Sequence, residues 1–317
     1  MKRQFFFLLS LMLVGVIFIG QNQAQTKPAK VRVGMTPITD YLQLYAAVHQ
    51  GFFRQQGLDV DAVPIWRISQ KLEAVAGGSL EITGISPPSF LMSKARGFDF
   101  IVVAAGVTEP KKPPFTNYMM VRKDSGINRW RDLAGKRIAV ASTKSILDIY
   151  IPEAVRKDGG DPSKIRWVSI RFPAIGLAIV NRQVDAGAMV EPFVTPFKGN
   201  PEVKFLGDYF HEVRPGAMIT IFAALNKWVK AHPDSVEKFA RGMHNGIDWV
   251  EAHPAAARKL LLKYTRLKPG IVGKIGIKDF AKKVDVKELQ WISDKVFSYG
   301  WIDKKQDVSQ FIYRTAR

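Results

Sequence analysis

The chain has 317 residues, 47% hydrophobic and 24% charged, with a formal net charge of +19 and no cysteine; at ~150 residues per domain this suggests two domains, each with its own core. The missing thiols exclude disulfides, thiolate metal sites, a cysteine nucleophile and lipid attachment through an N-terminal cysteine. The basic surplus is scattered in pairs such as Lys111-Lys112, Lys282-Lys283 and Lys304-Lys305, which argues against a nucleic-acid partner and reads as a solvated surface first, a field steering anionic solutes second.

Met1–Gln25 carries a basic start at Lys2 and Arg3, an apolar run Phe5–Gly20 and a polar exit ending near Ala24. The run is short for a membrane span of ~20 residues, so a secretory signal is expected over residues 1–25, with an uncleaved anchor as the alternative. Export without disulfides points to a periplasm.

Val31–Met35 alternates as a strand, and Asp40-Tyr41-Leu42-Gln43 fits a capping box with Asp40 as N-cap and Gln43 reaching back. Leu58–Trp66 is a second strand, and Gln70–Ala76 a short helix closed by Gly77-Gly78. Ile82–Ile85 is a buried strand; its Gly84 marks a place where backbone or ligand comes close. Ser86 then suits an N-cap and Pro87 the first helical position. The helix runs to about Gly97, followed by strand Phe100–Ala105. Strands alternating with helices imply βαβ units and a mainly parallel sheet.

The proline-rich stretch Glu109–Pro114 breaks this rhythm and marks a first crossing between domains. A second series follows: strand Tyr118–Arg122, helix Asn128–Leu133, strand Arg137–Ala141, a helix to about Lys157, strand Ile165–Ile170, helix Ala174–Arg182, and strands Ala186–Val190 and Val203–Leu206. Arg214-Pro215-Gly216 is the second break, before the strand-like Met218–Leu225. The tail is helical: Pro233 and Pro254 each open a helix, and Val286–Tyr299 is amphipathic and stopped by Gly300.

The segment Gly34–Val60, with its Gly51-Phe52-Phe53 and Gly57-Leu58-Asp59-Val60, resembles the opening of periplasmic solute-binding proteins of the nitrate, sulfonate, taurine and thiamine-precursor group. Further matches are Ala76-Gly77-Gly78, Asp132–Val140, Val184-Asp185-Ala186 and Glu191-Pro192-Phe193, in order to about Phe193. The resemblance implies an α/β fold of the two-lobed periplasmic-binding type (type II), with two crossings and a helical C-terminal segment on lobe one. Lobe one would hold residues 27–114 and 217–317, lobe two residues 115–216. It also implies capture of a small solute and delivery to a membrane ABC permease, by a monomer without cofactor or metal.

In such a fold, ligands meet the loops at the carboxyl ends of the strands. In lobe one these offer Pro37, Asp40, Tyr41, Trp66, Arg67, Ser86, Pro87, Pro88 and Thr108. Tyr41 and Trp66 present flat apolar area against an organic ligand, although Trp66 equally fits packing within its own lobe. Arg67 suits a carboxylate or sulfonate, although a solvated arginine is the more common fate. Two consecutive prolines at Pro87 and Pro88 remove donors, so this corner offers shape more than charge. In lobe two, Ser142, Thr143, Lys144 and Ser145 suggest a helix start capped by Ser142 that receives an anion. Arg171, Phe172 and Glu191 end the next strands. Glu191 suits an amine, hydroxyl or ring N–H, or a contact with the opposite lobe or a permease.

The solute classes left open are organic acids, sulfonates and pyrimidine-like compounds, anionic or zwitterionic. A ligand-sensing subunit for a membrane receptor is an alternative. A pyrimidine-precursor enzyme of the same fold is a weaker one, because those synthases use a cysteine-rich segment that this chain lacks. His244 and Asp248 share a helix face, but no third ligand is visible and a surface pair explains them.

Overall fold

The computed structural model describes residues 28–265 and 267–317, so the expected signal at residues 1–25 lies outside the described residues. No described helix is long and apolar enough to cross a membrane.

Ten strands form two five-stranded sheets. The first runs Leu58–Pro64, Ala29–Met35, Ile82–Ile85, Ile221–Leu225, Phe100–Ala105. Of its inner strands, Ile82–Ile85 is an apolar run buried throughout and Ile221–Leu225 one buried up to its last residue, as strands covered on both faces must be. Ala29–Met35 pairs in parallel with Leu58–Pro64, from Ala29 opposite Leu58 to Met35 opposite Pro64. Ile221–Leu225 is antiparallel to both its neighbours. The second sheet runs Val203–Gly207, Asn117–Arg122, Ala186–Val190, Arg137–Val140, Arg166–Ser169. Here Asn117–Arg122 is the antiparallel strand. Each sheet is thus mainly parallel, with one antiparallel strand next to an edge.

The chain leaves the first sheet after Ala105, returns after Gly207, and its two passages lie side by side. Glu109 N donates to Ala217 O at 3.0 Å, and Thr108 bridges Met218. A short pair, Val107–Thr108 with Asp279–Phe280, fastens the C-terminal segment to the same place.

The helical tail packs first on the N-terminal sheet. Pro233–Ala252 lies so close to Leu42–His49 that a Cβ on Gly246 would stand 2.3 Å from Gln43 O. Val286–Ser298 reaches further: Glu288 accepts from Tyr150 Oη of the Leu147–Lys157 helix at 2.6 Å.

Two local expectations change. Leu42–His49 opens from Tyr41 without a side-chain cap, and Asp40 lies in a 3-10 turn, Thr39–Tyr41. Its carboxylate turns instead toward Lys278 Nζ, 3.5 Å away, because a buried acid is held more strongly by a charge than by a helix end. Gln43, the supposed partner, is fully buried with neither amide atom bonded. The second is the Asn128–Leu133 helix, which is a 3-10 turn, Trp130–Leu133.

Candidate functional site

The Ile82–Ile85 strand ends at a tight packing point. A Cβ on Gly84 would lie 2.1 Å from Tyr41 Cε1, so glycine here makes room for the tyrosine ring. Tyr41 is 3% exposed, and Lys71 Nζ sits 5.8 Å from its ring centroid. Lys71 comes from Ile68–Ala76, one turn before buried Val75 on the inward face.

This corner forms one wall of a cleft of about 720 Å3 between the two sheets. The wall from the first sheet includes Thr36, Asp40, Tyr41, Trp66, Arg67, Lys71, Ser86 and Arg96. The wall from the second sheet includes Ser142, Thr143, Lys144, Ser145, Ser169, Arg171 and Phe172. A shallower hollow of about 480 Å3 shares Trp66, Arg67 and Arg171 with it. Cations dominate the lining: Arg67, Lys71, Arg96, Lys144 and Arg171 stand against a single carboxylate, Asp40, among the described residues.

At the inner end, Asp40 joins a buried charge cluster that reaches both passages. Lys278 Nζ bonds Glu109 Oε2 at 3.2 Å and Thr116 Oγ1 at 2.9 Å, and Glu109 also accepts from Thr116 N at 2.8 Å and from Asn117 Nδ2. Burial raises the Asp40 carboxyl against the pull of Lys278. Burial would raise Glu109 too, but Lys278, Asp208 and Thr116 outweigh it and hold Glu109 low. Burial, then the neighbouring Glu109, pushes the Asp208 carboxyl well above the usual carboxylate range. Lys278 stays raised, because Asp40 and Glu109 overcome its desolvation.

Eleven of the residues singled out from sequence line the cleft: Asp40, Tyr41, Trp66, Arg67, Ser86, Ser142, Thr143, Lys144, Ser145, Arg171 and Phe172. Pro37, Pro87, Pro88, Thr108 and Glu191 do not. Pro37, Pro87 and Pro88 are buried beside it, and Thr108 belongs to the short pair at the passages. Glu191 is fully buried, with its carboxylate on Thr195 Oγ1 at 2.7 Å, Thr195 N at 3.1 Å and Lys198 Nζ at 3.2 Å. Its carbonyl accepts from Thr39 Oγ1 at 3.0 Å, so it ties the second sheet to the first.

The Ser142 cap is corrected. The helix begins five residues later, at Leu147, and Ser145 closes its start: Ser145 Oγ accepts from Leu147 N at 3.2 Å and donates to Asp148 Oδ2 at 3.0 Å. Ser142–Lys144 forms an open loop, with Lys144 at φ 52°. Ser86 holds the N-cap position, but its hydroxyl pairs with Ser89 Oγ at 3.0 Å instead of a backbone N–H. His244 and Asp248 each bond Lys282.

Lys71, Thr36, Arg96, Asn117, Ser169 and Thr220 also line the cleft and were not singled out. Lys71 had a signal, a lysine on the inward stripe of an amphipathic helix; the others come together only through the fold.

The family described as NMT1/THI5 like matches residues 38–257, more than half of the chain. The chain belongs to the NMT1/THI5-like family. The formylaminopyrimidine-binding protein of Halalkalibacterium halodurans is 22% identical over 79% of this chain and 77% of its own. A 4-amino-5-hydroxymethyl-2-methylpyrimidine phosphate synthase of Aspergillus parasiticus is 26% identical over 81% of this chain and 77% of its own. Among solved structures, the alkanesulfonate-binding protein SsuA of Xanthomonas axonopodis, bound to MOPS, superposes with a TM-score of 0.75 at 20% identity, covering 90% of this chain and 99% of that one. This NMT1/THI5-like chain therefore has the two-lobed fold of periplasmic binding proteins, and its cleft is the space between the lobes.

Proposed function

We propose that the chain is an extracytoplasmic solute-binding protein that captures a small anionic or zwitterionic organic solute between its lobes and delivers it to an ABC transporter permease. The supporting observation is the charge of the cleft, with Arg67, Lys71, Arg96, Lys144 and Arg171 facing one carboxylate. Guanidinium and ammonium donors bind carboxylates and sulfonates by charge-assisted hydrogen bonds, each contributing about 1.5–3 kcal/mol. The volume suits a small organic molecule, and Trp66, Tyr41 and Phe172 supply flat apolar area. In this reading the lobes, residues 27–114 with 217–317 and residues 115–216, close about the two passages. A solute that touches both lobes then stabilises the closed form.

The signal-like pattern of Met1–Gln25 supports export to a periplasm. The absence of cysteine leaves no thiolate chemistry, so binding without turnover is the expected activity despite the likeness to a synthase. A thermal-shift screen of organic acids, sulfonates and pyrimidines tests the proposal, because a ligand specific to the folded state raises its melting temperature. At least one anionic compound should raise it without being altered. Conversion of a bound compound, or stabilisation by none, would contradict the proposal.

A further inference from the structure

Resting on that reading of the cleft, we infer that Lys71 selects for an anionic group on the solute and takes up a proton as the solute binds. Lys71 lines the cleft although it is only 2% exposed. Its Nζ donates to Gly84 O at 2.8 Å and to Thr36 Oγ1 at 3.2 Å. An ammonium has three protons to donate, a neutral amine two. The two acceptors therefore satisfy the neutral amine and leave one position on the nitrogen without a partner among the described residues.

Few charges surround it. Asp40 and Tyr41 face it from the Thr39–Tyr41 turn, and Arg67 stands at the start of its own helix. The strand ends that hold it contribute only the uncharged Thr36 and Gly84. Asp40 is engaged 3.5 Å from Lys278, so Lys71 has no salt bridge of its own. Burial outweighs the attraction of Asp40 and brings the amine down to about 7. Near neutral pH a fraction of the molecules thus hold an uncharged amine at this wall. An anion arriving there supplies the missing counter-charge and favours the ammonium. The cleft arginines are permanently charged and carry no such dependence.

Affinity for an anion should then fall by up to about tenfold per pH unit above pH ~7, as binding has to load the proton. Sulfate, ethanesulfonate and benzoate serve as anionic probes, with uracil as an uncharged one, titrated by tryptophan fluorescence from about pH 6 to about pH 9. At least one anion should bind wild type with this slope. Lys71→Met should weaken binding at pH ~6 and flatten the slope, while Asp40→Asn should keep the slope. Calorimetry in two buffers of different ionisation enthalpy gives a second readout on wild type alone: uptake of close to one proton at pH ~8. Anion binding with no slope and no uptake overturns the inference, as does a slope that survives Lys71→Met and disappears in Asp40→Asn. Binding of uracil but of none of the anions overturns the role of Lys71 while leaving solute capture intact. Chemical conversion of a probe overturns the underlying binding reading itself.

Discussion

Ser142 and Ser145 stand in the same loop and have different fates. Ser145 is held between Leu147 N and Asp148, whereas Ser142 is half-buried on the cleft wall. Ser145→Ala should lower stability by about 1 kcal/mol, the usual net worth of a buried side-chain hydrogen bond. Ser142→Ala should leave stability within about 0.5 kcal/mol and weaken an anionic solute by about 0.5–1.5 kcal/mol; chemical denaturation and titration check the two effects separately. Asp208 gives a pH effect whose sign is fixed. Its folded-state value, raised by burial, lies above the ~3.9 of an unfolded aspartate, so between them the folded state holds a proton that the unfolded state has released. The stability this contributes is complete below pH ~4 and is lost as pH rises through the folded-state value. Asp208→Asn keeps an acceptor for Phe210 N and His211 N, both at 2.7 Å, and removes the titration. Melting temperatures of the variant should therefore fall less steeply than those of wild type from about pH 5 to about pH 9. Lys71 acts in the opposite direction: its unfolded state binds more protons from about pH 7 to ~10.4, so its contribution rises there.

Among the elements, strands were the most legible. Ile82–Ile85, Phe100–Ala105 and Ala186–Val190 stand where their apolar runs predict, since a strand buried on both faces leaves its mark in every residue. Helix starts were less so. Asp40 and Ser142 both have cap-forming side chains, but local spacing cannot weigh a cap against a distant lysine such as Lys278, or against a better-placed serine three residues on. The reach of Val286–Ser298 across to the second lobe was not legible either, because it depends on partners far away in sequence. Glu288, its side chain 7% exposed, binds Tyr150 Oη and Arg214 Nε, each at 2.6 Å, and Lys295 bonds Glu153 at 2.7 Å. Glu288→Ala leaves the buried Tyr150 hydroxyl without its acceptor, while Arg214, 40% exposed, turns to water, so the free energy of unfolding should drop by about 1–2 kcal/mol. A drop under about 0.5 kcal/mol in urea denaturation would mean that this bridge does not hold the lobes.

At the scale of the whole molecule, the two-lobed plan was readable from the order of the motifs. The antiparallel strand in each sheet was not, since strand direction is set by pairing between remote segments. The charge of the cleft was legible only in part for the same reason. Arg67, Lys144 and Arg171 were legible one by one at strand ends, whereas Lys71 and Arg96 look in sequence like surface cations, and only the fold gathers all five around one space. The central claim, an anionic solute held between both lobes, is tested most directly by calorimetric titration of the strongest anion from the screen into wild type, Arg67→Ala and Lys144→Ala. These residues stand on opposite walls and are exposed. Each substitution should weaken binding about ten- to hundredfold, the equivalent of one charge-assisted bond, with unfolding temperature unchanged. Affinity equal to wild type in both variants would contradict the account.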